Sequence, residues 1–142
     1  MFFQSRTTVG TMGHHTFDAG DADRLEHAAR RYRYLSRDEL LGALAPTAGD
    51  VVADLGSGTG FYTDAVAARV GHVHAVDLQA TMHDYYREKG VPENVSLVTS
   101  AVADLPFEEA DLDGAVSTMT YHEFAAPGAV AEVARVLAPG AR

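Results

Sequence analysis

The chain has 142 residues, which is the length of one domain, and its 20 acidic and 11 basic side chains give a net charge of −9. A surface this acidic repels DNA, RNA and anionic lipid, so we expect no nucleic-acid partner and no membrane partner. No apolar run is long enough to span a bilayer, and without cysteine there is no disulfide framework or thiolate metal site. We therefore expect a cytoplasmic protein without a metal ion.

Residues 1–45 are predicted to form a mobile N-terminal segment followed by a helical cap. The first 16 residues show no periodicity, whereas apolar residues at helical spacing predict one helix over residues 21–35. Ser36 and Glu39 form a capping-box pattern that opens a second helix over residues 37–44. A basic cluster in the first helix has many acidic neighbours, which favours a solvated, salt-bridged face over a polyanion site: Arg30, Arg31 and Arg33.

The stretch from residue 51 to residue 60 begins as an apolar run without helical period, which is typical of a buried parallel strand. It ends in an acidic residue and three glycines at alternate positions, and a helical pattern follows. Such a turn directs free backbone N–H groups at a ligand, although an ordinary connection between strand and helix remains an alternative. The predicted ligand-binding residues of this turn are Asp54, Gly56, Ser57, Gly58 and Gly60.

A second strand is predicted over residues 72–77, after Gly71, which we expect to end the preceding helix in a left-handed conformation. The strand ends at Asp77, about 20 residues beyond the glycine turn. An acidic side chain at this place binds ribose hydroxyls in nucleoside-binding α/β folds, because its two oxygens accept both O–H groups. A helix-capping or turn role for Asp77 is the alternative.

The remaining pattern alternates helices with strands. A helix over residues 80–89 ends at Gly90, and strands are predicted over residues 95–99 and 113–117. The last helix has an apolar face at helical spacing, formed by Val130, Val133, Ala134 and Leu137.

Several of these segments carry a family resemblance. Phe61 stands where a dinucleotide-binding turn has its third glycine, and no phosphate-binding lysine follows the turn. The run Asp-Leu-Gly-Ser-Gly-Thr-Gly instead resembles motif I of the class I S-adenosylmethionine-dependent methyltransferases. Four later segments resemble the family's following motifs in the right order, so that the resemblance covers about residues 50–142: residues 75–78, 99–107, 112–117 and 136–140.

The resemblance implies an α/β, Rossmann-like doubly wound sheet with strand order 3-2-1-4, over residues 46–142. It implies S-adenosyl-L-methionine as the cofactor and a small-molecule methyl acceptor, as in the quinone-ring methyltransferases. Asp104 would accept a hydrogen bond from the adenine amine, and Val102 or Ala103 would pack near the ring. Leu78 and Ser117 complete the expected cofactor contacts.

General-base candidates follow the predicted fourth strand, because ligands in open α/β sheets bind beyond the carboxyl ends of the strands. His122 and Glu123 lie there, and an imidazole that titrates near neutrality can take a proton from a phenol, an amine or an acidic carbon. The alternative is that His122 caps the next helix.

The sequence ends at Arg142, where relatives begin a fifth strand, so we expect an incomplete sheet with strand 4 as an open apolar edge. Such an edge invites pairing with a second copy, which predicts a homodimer. Three functions remain open: a small-molecule methyltransferase, a cofactor-binding module without turnover, and a nucleotide-dependent oxidoreductase, which Phe61 disfavours.

Overall fold

The computed structural model describes residues 22–118 and 124–142. Four parallel strands form one sheet in the order β3-β2-β1-β4, as the sequence predicts. The strands are β1 Val51–Leu55, β2 His72–Asp77, β3 Val95–Thr99 and β4 Gly114–Val116. The helices are α1 Ala22–Leu25, α2 Ala28–Arg31, α3 Arg37–Leu44, α4 Phe61–Ala67, α5 Ala80–Lys89 and α6 Ala129–Val136. None of the helices described is long and apolar enough to cross a membrane.

Both faces of the sheet are covered, because side chains of β1 alternate between two hydrophobic cores. Val52 points into a core shared with α3 and α4, whereas Ala53 and Leu55 point into a core shared with α6. A strand that is buried on both faces has to be apolar throughout. This requirement explains the apolar residues of β1, in which Asp54 is the buried exception.

The N-terminal cap differs from the single helix predicted over residues 21–35. The helix breaks between Leu25 and Ala28, where His27 starts α2 as its N-cap by accepting a hydrogen bond from the backbone N–H of Arg30. The predicted capping box of α3 is confirmed, with Ser36 and Glu39 bonded reciprocally. Glu26, which lies at the break, makes long-range contacts that are described below.

The outer edge of β4 is not open as predicted. The chain after α6 returns along it, so that Leu112 and Leu137 form a parallel bridge and the N–H of Ala115 donates to the carbonyl of Arg142 at 2.7 Å. Those contacts occupy backbone groups that a second copy would need. They remove the basis on which a homodimer was predicted.

Three smaller predictions also need correction. The fourth strand is shorter than the range 113–117, since it spans Gly114–Val116. Gly71 does not end helix α4 in a left-handed conformation, because α4 ends at Ala67 and Gly71 has no positive φ. A Cβ on Gly71 would lie only 3.2 Å from the carbonyl oxygen of Gly49, so this glycine permits the close approach of the two backbone segments. Val130 is 67% exposed and lies outside the apolar face of α6.

Candidate cofactor site

The glycine turn lies between the carboxyl ends of β1 and β2. The N–H groups of Gly56 and Ser57 both donate to the carbonyl of Val76, at 2.8 and 2.9 Å, and this fastens the start of the turn to the neighbouring strand. Gly56, Gly58 and Gly60 have φ values of +78°, +55° and +85°. Side chains rarely adopt this left-handed region, which explains the alternate glycines. The N–H groups of the turn are not free as predicted, because Gly58 donates to Asp77 and Gly60 donates to the carbonyl of Ser57.

Gly60 has a second reason to be glycine, which the sequence analysis missed. A Cβ at this position would lie 2.2 Å from ring atoms of Tyr86 on α5. The Tyr86 side chain is fully buried, and its hydroxyl donates to Asp64 Oδ1 at 2.6 Å. Burial, together with that hydrogen bond, raises the pKa of Tyr86. The buried ring of Tyr86 therefore packs against the turn at Gly60 and fixes its position.

Asp77 anchors the middle of the turn. Its carboxylate is 8% exposed; Oδ2 accepts from the N–H of Gly58 at 2.9 Å and Oδ1 accepts from the N–H of Gln79 at 2.8 Å. Gln79, not Asp77, is the N-cap of α5, so the capping alternative is not observed. The alternative turn role is observed, because the bond from the N–H of Gln79, two residues on, is an Asx turn. A carboxylate has about four acceptor positions, so both oxygens can still accept from a ligand hydroxyl.

Asp54 contributes a buried carboxylate with an unused oxygen. The side chain is 1% exposed, and Oδ2 accepts from Thr63 Oγ1 at 2.7 Å. Within the described part of the chain, Asp54 Oδ1 has no hydrogen-bond partner, and neither has the buried Ser57 Oγ. Since buried polar atoms almost always have a partner, this pair is suited to a ligand that donates hydrogen bonds.

The protonation of Asp54 reflects its burial. Desolvation raises the pKa of this carboxyl to about 6 and outweighs the hydrogen bond from Thr63 and the charge of Arg31, both of which lower it; the charge of Asp77 raises it further. Asp54 is therefore mostly ionised at neutral pH. An ammonium group, which carries a positive charge and three donors, fits the free oxygen of Asp54. The amino-acid part of S-adenosylmethionine carries such a group, so the residues present fit this cofactor.

The other predicted cofactor residues also follow the carboxyl ends of strands. Asp104 is exposed and Ala103 is half-buried in the loop after β3, while Leu78 is 47% exposed directly after β2. Ser117 follows β4 and its hydroxyl donates to the carbonyl of Leu55 at 2.9 Å. The predicted general bases, His122 and Glu123, lie outside the described residues.

The N-terminal cap covers the glycine turn, a contact that the sequence analysis did not foresee. Leu25 Cδ1 lies 3.4 Å from the position that a Cβ of Gly58 would take. Glu26 accepts a hydrogen bond from Thr59 Oγ1 and also forms a salt bridge with Lys89 at 3.0 Å. These contacts join the cap, the turn and the end of α5.

Comparison with known proteins places this arrangement in a family. Residues 52–140 match the model of a methyltransferase domain. The structure superimposes on a SAM-dependent methyltransferase from Aquifex aeolicus with a TM-score of 0.78 and 28% identity, covering 89% of this chain and 70% of that one.

Two curated relatives have named activities. The biotin biosynthesis bifunctional protein BioHC of Cellvibrio japonicus is 37% identical over 90 residues, which are 63% of this chain and 18% of that protein. The demethylmenaquinone methyltransferase of Clavibacter sepedonicus is 33% identical over 102 residues, which are 70% of this chain and 42% of that protein. The chain thus spans less than half the length of these relatives. With its sheet order, its glycine turn and the match over residues 52–140, the chain belongs to the class I S-adenosylmethionine-dependent methyltransferases.

Proposed function

We propose that this chain binds S-adenosyl-L-methionine at the glycine turn and forms part of a cytoplasmic enzyme that methylates a small molecule. The observation that carries the proposal is the pair of carboxylates at the ends of β1 and β2. Asp54 presents an unused buried oxygen, and Asp77 keeps acceptor capacity beside the turn. An acceptor for an ammonium group next to an acceptor for ribose hydroxyls matches the two polar ends of this cofactor.

The polar residues around the turn bind different parts of the cofactor in the proposed complex. Asp77 accepts from the ribose hydroxyls and, through Gly58, holds the turn against them. Asp54 and Ser57 bind the ammonium group, and Asp104 accepts from the adenine amine. The cofactor supplies an activated methyl group, because its leaving group is a neutral thioether. The protein contributes orientation and the exclusion of water.

The acceptor is proposed to be a small molecule. The names of the two relatives, which concern biotin synthesis and menaquinone, support this class. The net charge of −9 argues against a nucleic-acid acceptor, because polyanions are repelled. His122, assisted by Glu123, would remove the proton of a phenol, an amine or an acidic carbon.

Calorimetric titration tests the cofactor part of the proposal. We expect S-adenosylhomocysteine to bind and NAD to show no binding; a preference for NAD would support the oxidoreductase alternative instead. Transfer of a labelled methyl group from the cofactor to quinols, phenols, amines and small acids then tests turnover. Binding without transfer to any acceptor would favour the alternative of a cofactor-binding module. Loss of transfer in His122→Ala, with cofactor affinity retained, would support the general base.

A further inference from the structure

Arg31 lies at the end of α2, outside the segment that matches the family model, yet its side chain reaches the site. Its guanidinium carbon lies 4.7 Å from the ring centre of Tyr62 and 5.4 Å from that of Phe61. Both aromatic residues belong to the first turn of α4, directly after Gly60. The sequence analysis assigned Arg31 to a solvated basic face, and the structure contradicts this assignment.

The charge of Arg31 lacks a counter-ion among the residues described. Its Nε atom is buried and has no hydrogen-bond partner there, and none of their carboxylates lies within salt-bridge distance of it. The Tyr62 hydroxyl donates to the carbonyl of Leu35 at 2.7 Å and lies 3.2 Å from the carbonyl of Arg31, which holds the end of α2 against α4. A partly desolvated guanidinium held in this way is stabilised by an anion that offers paired oxygens.

The buried Asp54 carboxyl lies within electrostatic reach of Arg31, whose charge lowers the pKa of that carboxyl. The two side chains nevertheless do not form a salt bridge, and each keeps a buried atom without a partner in the described part of the chain, Nε on Arg31 and Oδ1 on Asp54. A ligand that satisfies both atoms has to present a positive group to Asp54 and a negative group to Arg31. An α-amino acid zwitterion has this charge order.

We infer that Arg31 binds the carboxylate of the cofactor's amino-acid end, while Asp54 accepts from its ammonium group. The inference rests on the proposed function and adds a specificity-determining residue from the N-terminal cap. The contact of Leu25 with the turn and the bond between Glu26 and Thr59 place the cap over the site, so that α2 can supply this residue. The family motifs alone would then bind the adenosyl part and the ammonium group but leave the carboxylate without a charged partner.

Three ligands test the inference by calorimetry: S-adenosylhomocysteine, its decarboxylated analogue, and 5′-methylthioadenosine, which lacks the whole amino-acid end. The wild type is expected to prefer S-adenosylhomocysteine over the decarboxylated analogue by about tenfold or more, since a charge-assisted hydrogen bond is lost. In Arg31→Gln this preference should fall to about twofold or less, with the affinity for 5′-methylthioadenosine unchanged. Arg30→Gln, which alters the exposed neighbouring arginine, serves as the matched control and should behave as the wild type.

The outcomes separate the inference from the proposed function. If the wild type binds none of the three ligands, the proposed function is wrong and the role of Arg31 falls with it. If the wild type binds S-adenosylhomocysteine but Arg31→Gln keeps the full preference for the carboxylate, only the role of Arg31 is wrong. An equal loss for all three ligands would show that Arg31 supports the fold or pairs directly with Asp54, and would also overturn the inference. Circular dichroism of Arg31→Gln checks that the variant is folded.

Discussion

The charge on Asp54 should destabilise the free protein at neutral pH, and Asp54→Asn measures by how much. Raising the pKa of this carboxyl from 3.8 to about 6 disfavours its ionised form in the folded state by about 3 kcal/mol. The pKa of Asp54 is higher in the folded than in the unfolded state, so the protonated carboxyl favours the folded state. This contribution to stability is complete below the unfolded pKa and is lost as the pH rises through the folded pKa. Between about pH 5 and about pH 8, this loss amounts to about 1 to 2 kcal/mol.

Urea unfolding, followed by circular dichroism at both pH values, gives the free energy of unfolding of each protein. The free energy of unfolding of Asp54→Asn minus that of the wild type should be about 1 to 2 kcal/mol larger at about pH 8 than at about pH 5. Taking the difference between the two proteins cancels every other group whose ionisation is unchanged. Thr63→Val provides the matched variant, because it removes the hydrogen bond that lowers the pKa of Asp54 and should make the pH dependence steeper than in the wild type.

The same substitution should weaken ligand binding. A neutral amide in place of the Asp54 carboxylate cannot offer an anionic oxygen to an ammonium group. The free energy of binding of S-adenosylhomocysteine should therefore become less favourable by about 1.5–3 kcal/mol. A variant that is more stable at about pH 8 but binds less tightly would identify the carboxylate as functional rather than structural. A difference between the proteins that stays constant with pH, or that shrinks as the pH rises, would refute the view that desolvation dominates at Asp54.

Three further predictions concern the turn and its supports. Gly60→Ala should destabilise the fold by at least about 2 kcal/mol in urea unfolding, because the added Cβ meets the Tyr86 ring and the backbone φ is +85°. The control is Gly42→Ala, in helix α3 with open space around it, which should stabilise the fold by up to about 1 kcal/mol. Equal effects of the two substitutions would contradict the packing argument. Asp77→Ala should lower the calorimetric affinity for S-adenosylhomocysteine by about tenfold or more; an unchanged affinity would remove Asp77 from the site. Ser36→Ala should lower the thermal midpoint through loss of about 1 kcal/mol of helix capping, whereas an unchanged midpoint would show that the capping box contributes nothing.

The local sequence predicts the sheet and the turn because their signals are short-range. An apolar run, an acidic residue and alternate glycines stand within ten residues, and the strand that ends at Asp77 follows after one helix. The order β3-β2-β1-β4 was implied by the family resemblance and not by the local pattern. The family resemblance contributed the expected contacts of Asp104 and Ser117, which local pattern alone does not indicate.

Contacts between distant residues account for what the sequence did not predict. Gly60 fits its conformational role in the turn, but the ring of Tyr86, 26 positions later, gives the stricter reason for a glycine. Glu26 interrupts the predicted N-terminal helix where it binds Thr59 and Lys89, and neither partner is near it in sequence. A pattern of apolar spacing contains no information about such pairs.

The role of Arg31 was misjudged for a related reason. Composition placed it among arginines with acidic neighbours, where a solvated face is the usual outcome. Only the three-dimensional structure shows that α2 directs this one side chain over Tyr62 and that its Nε atom is buried without a partner among the described residues. The exposed Arg30 next to it agrees with the original interpretation.

The crystal structure of the protein with S-adenosylhomocysteine is the most direct test of the central claim, that the turn after β1 and the carboxylates of Asp54 and Asp77 bind one adenosyl amino acid. We expect the ribose hydroxyls within hydrogen-bond distance of Asp77 and the ammonium nitrogen within the same distance of Asp54 Oδ1. Density for the ligand elsewhere, or an empty crevice with the glycine turn closed over it at saturating ligand, would contradict the account.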